Sequence, residues 1–162
     1  MKSETSKYGH LQLEPELLQT LALELATDDA LELTCMHYES NLAGIEASIE
    51  RSWETRLWGL ADEQKPLCIY GLADFLLAPR IVMPWMLAHQ DLPLHARPFL
   101  RGSRQWINHV AKDHDMLAAL VGTWHTRSIR WLEWLGFDIG QPITVEGYEG
   151  VWHPVSLSRR MQ

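Results

Sequence analysis

Three arginines with a glycine and a serine between them form the stretch of this sequence that is best suited to binding an anion. Arg97, Arg101 and Arg104 recur at spacings of four and three, with Gly102 and Ser103 among them. On a helix they share one face. Guanidinium groups bind phosphates and carboxylates through paired N–H donors, and they also contact nucleic-acid backbones. An amphipathic helix needs a polar outer face in any case, so a solvated surface is the simpler interpretation.

Histidines supply the other candidate chemistry, because an imidazole exchanges protons near neutral pH. His89, His95 and His125 are the candidates for a catalytic role. For His125 the simplest interpretation is a histidine at a strand end that is hydrogen-bonded to the backbone. His109 and Asp113 share a helix face at metal-ligand spacing, but that spacing is common near helix ends and no established metal motif is present, so we expect no metal site.

Composition indicates one globular domain with an uneven charge. The 162 residues are 46% hydrophobic, enough for one core, and the net charge is -7. Residues 1–75 carry 14 acidic and 5 basic side chains, whereas residues 76–162 carry 7 and 9. The net negative charge disfavours nucleic-acid binding by the whole surface. The charge balance predicts that any anion binds to the second half of the chain. No apolar run is long enough for a membrane, so we expect a soluble protein whose two cysteines, Cys35 and Cys68, are buried thiols.

The first half predicts helices followed by strands. Residues 14–26 have helical periodicity, and Pro15 suits a first turn. Asp28 and Asp29 are expected to cap one or two further helices over residues 30–52, interrupted near 41–44. Residues 55–62 and 66–75 then read as a β-hairpin.

The second half alternates strands with helices. Residues 80–89 predict a buried strand in which Pro84 demands a bulge, an edge or a splay. A helix over residues 98–114, a strand over 116–124, a helix from Thr126 to Leu135 closed by Gly136 and a terminal strand pair complete the order. The fold class is therefore mixed α/β, with helices on both faces of a mixed sheet. We place one domain at residues 14–157, between polar segments at 1–13 and 158–162.

The order of elements and the ending IRWLEWLGF resemble the GCN5-related N-acetyltransferase (GNAT) family. More narrowly, PWMLAH, ARPFLRGSRQW and HTRSIRWLEWLGF resemble the acetyltransferase-like proteins of short-tailed bacteriophages, the group that includes internal virion protein A. The resemblance covers about residues 30–157 and is most specific over 123–137. It implies a sheet with splayed central strands, and acetyl coenzyme A held with its pyrophosphate at the start of the helix near Arg97, Arg101, Gly102, Ser103 and Arg104.

Two departures from the GNAT pattern bear on activity. The family's phosphate loop carries two closely spaced small residues, whereas ARPFLRGSR has only Gly102, and Pro98 offers no N–H. The tyrosine that often protonates the leaving thiolate falls on Leu132, and an asparagine position falls on His125. Because a leucine cannot donate a proton, the resemblance implies a retained fold with a degenerate acyl-CoA site.

The resulting prediction is a bacteriophage virion or infection-associated protein that acts mainly through protein contacts. Its partners would be other virion proteins or a host protein, and it would reside in the virion or the host cytoplasm. Trp131, Trp134, Arg127 and Arg130 are the interface candidates, since tryptophan and arginine anchor interfaces. The first alternative is an active acetyl-CoA-dependent N-acetyltransferase. The second is an inhibitor of a host enzyme, for which the acidic half would suit a basic target.

Overall fold

A sheet with helices on both faces forms the described part of the chain, which comprises residues 7–75 and 80–158 of a computed structural model. The ends of the predicted terminal segments, residues 1–6 and 159–162, lie outside it. The elements in chain order are β1 Tyr8–Leu11, α1 Pro15–Leu23, α2 Thr27–Cys35, α3 Asn41–Glu50, β2 Ser52–Leu60, β3 Lys65–Asp74, β4 Ile81–Ala88, a 3-10 helix Leu92–His95, α4 Ala96–Asp113, β5 Met116–Gly122, α5 Thr126–Leu135, β6 Asp138–Ile139, β7 Ile143–Thr144 and β8 Val151–Ser158.

The strands lie in the order β1-β2-β3-β4-β5-β8-β6, and β7 also pairs with β8. All neighbours are antiparallel except β4 and β5, which run parallel. The predicted hairpin is the β2–β3 pair, and the predicted terminal pair is β8 with two short partners. The mixed α/β fold class is thus confirmed.

The parallel pair β4–β5 is splayed. It has only two residue pairs, Ile81 with Met116 and Val82 with Leu117, after which the strands diverge. This bears out the splay that Pro84 predicts. The N–H of His89 donates to Leu67 on β3, and strand N–H groups alternate in direction, so positions 84 and 86 face the gap. Pro84 therefore removes no hydrogen bond from the β3–β4 ladder.

The helices divide between the two faces of the sheet. Helices α1 to α3 bury a tightly packed core against β2, β3 and β4, in which Leu21, Ile45, Leu57 and Ile69 have no exposed surface. Helices α4 and α5 cover the other face, where their apolar residues pack against β4, β5 and β8. On α4 the three arginines Arg97, Arg101 and Arg104 are exposed. Ile107 and Val110 are buried, as the periodicity predicts. Among the described helices, none combines the length and apolarity needed to cross a membrane.

Four local expectations were wrong. The interruption expected near residues 41–44 lies at residues 36–40, and residues 41–44 begin α3. Residues 8–11, expected to lie in a polar terminal segment, form edge strand β1 paired with β2. Helix α1 ends at Leu23 because the following residues pair with the end of β4. The cap position of α2 is Ala26, which has no side chain to cap with, and Asp29 turns inward to other partners. By contrast, Gly136 closes α5 at φ 102°, in the left-handed conformation that favours glycine.

Candidate functional site

The gap between β4 and β5 is widest at their carboxyl ends, Ala88 and Gly122. The connection between α1 and α2 lies along the β4 side of this gap. The N–H of Ala26 donates to the Ala88 carbonyl at 2.8 Å, and the N–H of Gln90 donates to the Glu24 carbonyl at 2.9 Å. The end of β4 is therefore paired with this connection, at a level where β5 has already moved away.

Two carboxylates on one turn of α2 bind the two diverging strands. Asp29 Oδ2 accepts the N–H of Ala88 at 2.7 Å, and Glu32 Oε2 accepts the N–H of Gly122 at 2.8 Å. The spacing of three places both side chains on the buried face of α2. Helix α2 thus ties the end of β4 to the end of β5.

His125 completes this cluster from the start of α5. Its Nε2 lies 2.5 Å from Asp29 Oδ1 and 3.2 Å from Ser128 Oγ. The side chain is buried, and its Nδ1 has no hydrogen-bond partner among the described residues. The sequence favoured a backbone partner for His125, and the structure provides a carboxylate instead.

Burial and neighbouring charges shift the protonation equilibria of this cluster. Burial raises the pKa of Glu32 to about 7, with Asp29 and Asp28 adding to the rise, while the Gly122 N–H and His125 oppose it. Burial by itself lowers the pKa of His125, but the hydrogen bond to Asp29 and the nearby carboxylates outweigh it, so the net pKa is raised. The pKa of Glu32 therefore lies near neutral pH, and the pKa of His125 lies above its ordinary value.

Within the described part of the chain, these three residues are also the group that could hold a metal ion. One ligand atom each from Asp29, Glu32 and His125 lie within 4.8 Å of one another. Each carboxylate keeps one oxygen for a backbone N–H, which would orient the other toward a cation. The sequence pattern considered for a metal, His109 with Asp113, is not part of this group.

Both α4 and α5 begin at the wide end of the gap. Helix α4 joins two parallel strands and so runs opposite to them. Helix α5 leaves β5 and leads to β6, which runs parallel to β5 because both are antiparallel to β8. The positive ends of two helix dipoles therefore point the same way, near exposed Arg97, Arg101, Arg127 and Arg130.

Arg104 has a partner within the chain. Its guanidinium lies 3.7 Å from the centre of the Trp134 ring, and its Nη2 donates to the Trp134 carbonyl at 2.9 Å. Trp134 remains 42% exposed. An outer groove of about 510 Å3 lies at this contact. Its lining includes Arg97, Arg101, Arg104 and Trp134.

The remaining residues of the arginine stretch have different surroundings. Ser103 Oγ donates to the Leu100 carbonyl and accepts the indole N–H of Trp131 at 3.1 Å, so it links α4 to α5. Trp131 is half-buried in this contact and is less available for an interface than Trp134. Gly102 faces open space, since a Cβ built there would meet no atom within 4 Å.

His89 and His95 have structural partners. His89 has no exposed surface; its Nε2 lies 2.5 Å from Glu24 Oε2, and its Nδ1 accepts the N–H of Asp91. His95 Nδ1 lies 2.8 Å from the hydroxyl of Tyr8. With both ring nitrogens engaged and no contact with solvent, His89 is poorly placed to touch a substrate.

A cavity of about 1030 Å3 runs from the β4–β5 gap to the space between α4 and the sheet. Asp29, Glu32 and Ser128 line it near the wide end, and Leu132 lines it at the position where the GNAT resemblance puts a tyrosine. The aliphatic side chain cannot donate a proton to a leaving group there.

Sequence reasoning missed Asp29 and Glu32 as site residues. Both lie in an acidic stretch that looks like a solvated helix face. One signal was available. Asp29 and Glu32 are three residues apart, and Leu33 must face the core, so at least one of the two carboxylates lies next to the buried side of α2. Their partners, Ala88, Gly122 and His125, are distant in sequence and could not be paired with them in advance.

No family model and no curated protein matches the sequence. Solved structures are similar in fold. A GNAT-family acetyltransferase from Bacillus anthracis superposes with a TM-score of 0.68 at 8% identity, over 98% of both chains. A GCN5-related N-acetyltransferase from Kribbella flavida gives 0.65 at 10%, over 96% of this chain and 99% of that one. Spermidine N-acetyltransferase from Vibrio cholerae, in complex with CoA and spermine, gives 0.61 at 13%, over 96% and 97%.

The chain has a GNAT-like fold, as its resemblance to that family implied. The splayed central strands that the resemblance implied are present as the β4–β5 pair. At identities of this size the similarity establishes the architecture alone, and the narrower resemblance to bacteriophage proteins stays a prediction.

Proposed function

We propose that this chain uses a GNAT-like fold mainly as a scaffold for protein contacts, and that its acyl-CoA cleft is degenerate. The observation that carries this proposal is the carboxylate clamp, in which Asp29 and Glu32 take the N–H groups of Ala88 and Gly122. An extended amide chain such as pantetheine binds between diverging strands through their free backbone groups. Here the N–H groups of Ala88 and Gly122, at the wide end, are already bonded to side chains of α2.

Two further features support a degenerate cleft. Pro98 lies in the first turn of α4 and lacks an N–H, so the helix start offers fewer donors to a pyrophosphate. Leu132 lines the cavity and supplies no proton donor. The start of α4 and the β4–β5 gap are both present. The N–H donors and the proton donor that would bind and cleave an acyl thioester are fewer.

The proposed contact surface is the basic α4–α5 surface, which we define as Arg97, Arg101, Arg127, Arg130 and Trp134. These side chains are exposed in a protein whose net charge is -7. Exposed arginine and tryptophan side chains are typical interface anchors, and the positive charge suits an acidic partner. The resemblance to phage proteins assigns the partner to the virion or the host cell and the protein to the particle or the host cytoplasm.

Calorimetric titration with acetyl-CoA and free CoA tests the cleft. We expect no binding heat from a folded sample at high ligand concentration. Micromolar affinity, about -8 kcal/mol, would contradict a degenerate cleft and restore the coenzyme as a partner.

A surface variant tests the protein contacts. Replacing Arg97, Arg101 and Arg127 with alanine is expected to abolish particle assembly or infectivity of a phage that encodes the protein, without lowering the melting temperature. Lys112→Ala, also on the exposed side of α4 but near its other end, is the control and should leave infectivity unchanged. Normal infectivity of the triple variant would refute the assigned surface.

An active acetyl-CoA-dependent N-acetyltransferase is the second candidate, favoured by Glu32 and His125. Both line or adjoin the cleft and have raised pKa values, so either could remove the proton from an attacking amine. The fold would otherwise position the reactants.

The second candidate predicts release of free CoA when the protein is given acetyl-CoA and a panel of amines. Spermidine belongs in that panel because a structural neighbour is a spermidine N-acetyltransferase. Glu32→Gln should then lower turnover by about 100-fold or more, while Glu133→Gln on the exposed side of α5 should not. Absence of turnover with every amine, in a sample that binds acetyl-CoA, would count against this candidate.

A further inference from the structure

The two helical layers of this protein carry opposite charges. Residues 8–50, which include α1 to α3, contain nine acidic side chains and neither lysine nor arginine. Residues 96–111, which form most of α4, contain three arginines and no acidic side chain. Because the sheet separates α1 to α3 from α4 and α5, the two layers lie on opposite sides of the molecule. Each copy of the chain therefore presents one acidic and one basic outer surface.

The acidic surface is formed by α1 and α3, which lie side by side. The Asn41 side chain at the start of α3 donates to the Ala22 carbonyl on α1 at 3.0 Å. Both helices turn their buried residues toward the sheet and leave the other face to solvent. We define the acidic α1–α3 surface by its exposed side chains, which are Glu16, Leu23, Glu46 and Glu50.

The charged side chains of the two surfaces have matching spacings. Glu46 and Glu50 are four residues apart on α3, and so are Arg97 and Arg101 on α4. Each pair therefore spans about 6 Å along its helix axis, so two helices placed side by side align both pairs at once. Within the described part of the chain, none of these four side chains forms an ion pair. Both pairs are thus available to a partner.

Each surface also has one exposed apolar side chain. Leu23 on the acidic α1–α3 surface is 78% exposed. Trp134 on the basic α4–α5 surface is 42% exposed, and the guanidinium of Arg104 holds its ring from one side. Apolar anchors surrounded by charged residues are typical of protein interfaces, in which tryptophan and arginine are enriched. The two surfaces are therefore complementary in charge, and each offers apolar area to bury.

We propose that this chain associates with copies of itself head to tail, with the acidic α1–α3 surface of one copy on the basic α4–α5 surface of the next. The Glu46–Glu50 pair of one copy faces the Arg97–Arg101 pair of the next. This inference rests on the proposed contact function and names its acidic partner as a second copy. Because the two surfaces lie on opposite sides of the molecule, a bound pair keeps one free surface of each kind, and association continues until a ring closes.

Sedimentation velocity of the full chain measures this association over a range of concentrations at about 50 mM and about 500 mM salt. We expect species larger than the 18.7 kDa monomer at the lower salt concentration. They should become fewer at the higher one, because salt screens exposed charges. A wild-type chain that stays monomeric up to millimolar concentration in both conditions would overturn the proposal.

Charge reversals test the two surfaces. Glu46→Lys with Glu50→Lys should weaken association by about tenfold or more, and so should Arg97→Glu with Arg101→Glu, since like charges then face each other. An equimolar mixture of the two variants should associate again, because each altered surface then meets one of opposite sign. Association that survives both reversals, or a mixture that stays monomeric, would refute the assigned surfaces.

A matched control separates these contacts from a general effect of net charge. Glu63→Lys with Glu146→Lys changes the net charge by the same amount as the reversal on α3. Both positions are exposed in strand connections outside the two helical layers. This control should associate as the wild type does, and a loss equal to that of the α3 reversal would count against a specific contact.

Chemical crosslinking covers the case in which a reversal variant does not fold. Arg101→Lys keeps the positive charge and introduces an amine, which a carbodiimide joins to a neighbouring carboxylate as an amide while the reagent takes up the water. Mass spectrometry of the digested protein should find residue 101 joined to Glu46 or Glu50. Since the sheet separates these positions within one copy, that product comes from two copies. Links from residue 101 to other carboxylates alone, or none between copies, would overturn the proposal.

These results can be told apart from a failure of the proposed contact function. A monomeric wild-type chain, together with loss of infectivity when Arg97, Arg101 and Arg127 are replaced by alanine, would overturn self-association and leave the contact function intact. Head-to-tail association with normal infectivity of that triple variant would support self-association and refute the role of the surface in infection.

Discussion

Replacing Glu32 with glutamine should remove a specific pH dependence from the stability of this protein. The carboxyl is held between α2 and the N–H of Gly122, and glutamine can accept the same hydrogen bond without a charge. Because burial raises the pKa of Glu32 in the folded state, the folded protein holds this proton more tightly than the unfolded chain does. The resulting stabilisation is present below the unfolded pKa and is lost as the pH rises through the folded pKa.

The pKa values set the size of the effect. Glu32 moves from its ordinary value of 4.5 to about 7 on folding. Each pH unit between the two is worth about 1.4 kcal/mol, so the wild type should lose about 2.5 kcal/mol of unfolding free energy between about pH 5 and about pH 8 from this group alone. His125, whose pKa is also raised, loses its contribution in the same direction above its ordinary value of 6.5.

Urea unfolding followed by tryptophan fluorescence at several pH values measures this difference. The unfolding free energy of Glu32→Gln relative to wild type should rise by about 2.5 kcal/mol across that range. Glu133→Gln, a matched change on the exposed side of α5, should run parallel to wild type. Parallel profiles for wild type and Glu32→Gln would refute the raised pKa of Glu32.

Gly136→Ala should cost about 1–2 kcal/mol, seen as a lower melting temperature, because Gly136 has φ 102° at the end of α5; an unchanged melting temperature would contradict that conformation. Gly122→Ala should cost about 1–3 kcal/mol in urea unfolding, since its Cβ would lie 2.4 Å from the Trp124 ring. Ile45→Ala should cost about 2–5 kcal/mol in the same assay, because Ile45, on α3, is fully buried in the core between α1 to α3 and the sheet. Values below about 1 kcal/mol would show that the α1–α3 core is loosely packed.

Local sequence patterns predicted most of the elements. Pro15 correctly indicated the first turn of α1, Gly136 the end of α5, and Pro84 the splay of β4. Each of these residues has a backbone preference that depends on its own position in the chain and not on distant contacts. The edge strand at Tyr8–Leu11 was missed because four residues carry too short a pattern, and their pairing with β2 depends on a strand more than forty residues away.

The candidate site was predicted less well than the fold. Asp29 was expected to cap α2 on the strength of its position, but Ala88 and His125 compete for its carboxylate and are brought to it only by the folded sheet. Arg104 was expected to bind a ligand, whereas its guanidinium stacks on the ring of Trp134. In both cases the partner comes from another element, and no spacing within one helix shows it.

The sequence by itself determined the alternation of helices and strands, the two-sided layering and the polar outer face of α4, because these follow from periodicity and backbone preference within single segments. Only the tertiary structure decided that Asp29 and Glu32 would clamp the ends of β4 and β5, that burial would raise the pKa of Glu32 to about 7, and that α4 would leave a cavity above the sheet. Those properties arise from burial and from contacts between distant residues, which exist only once the chain has folded.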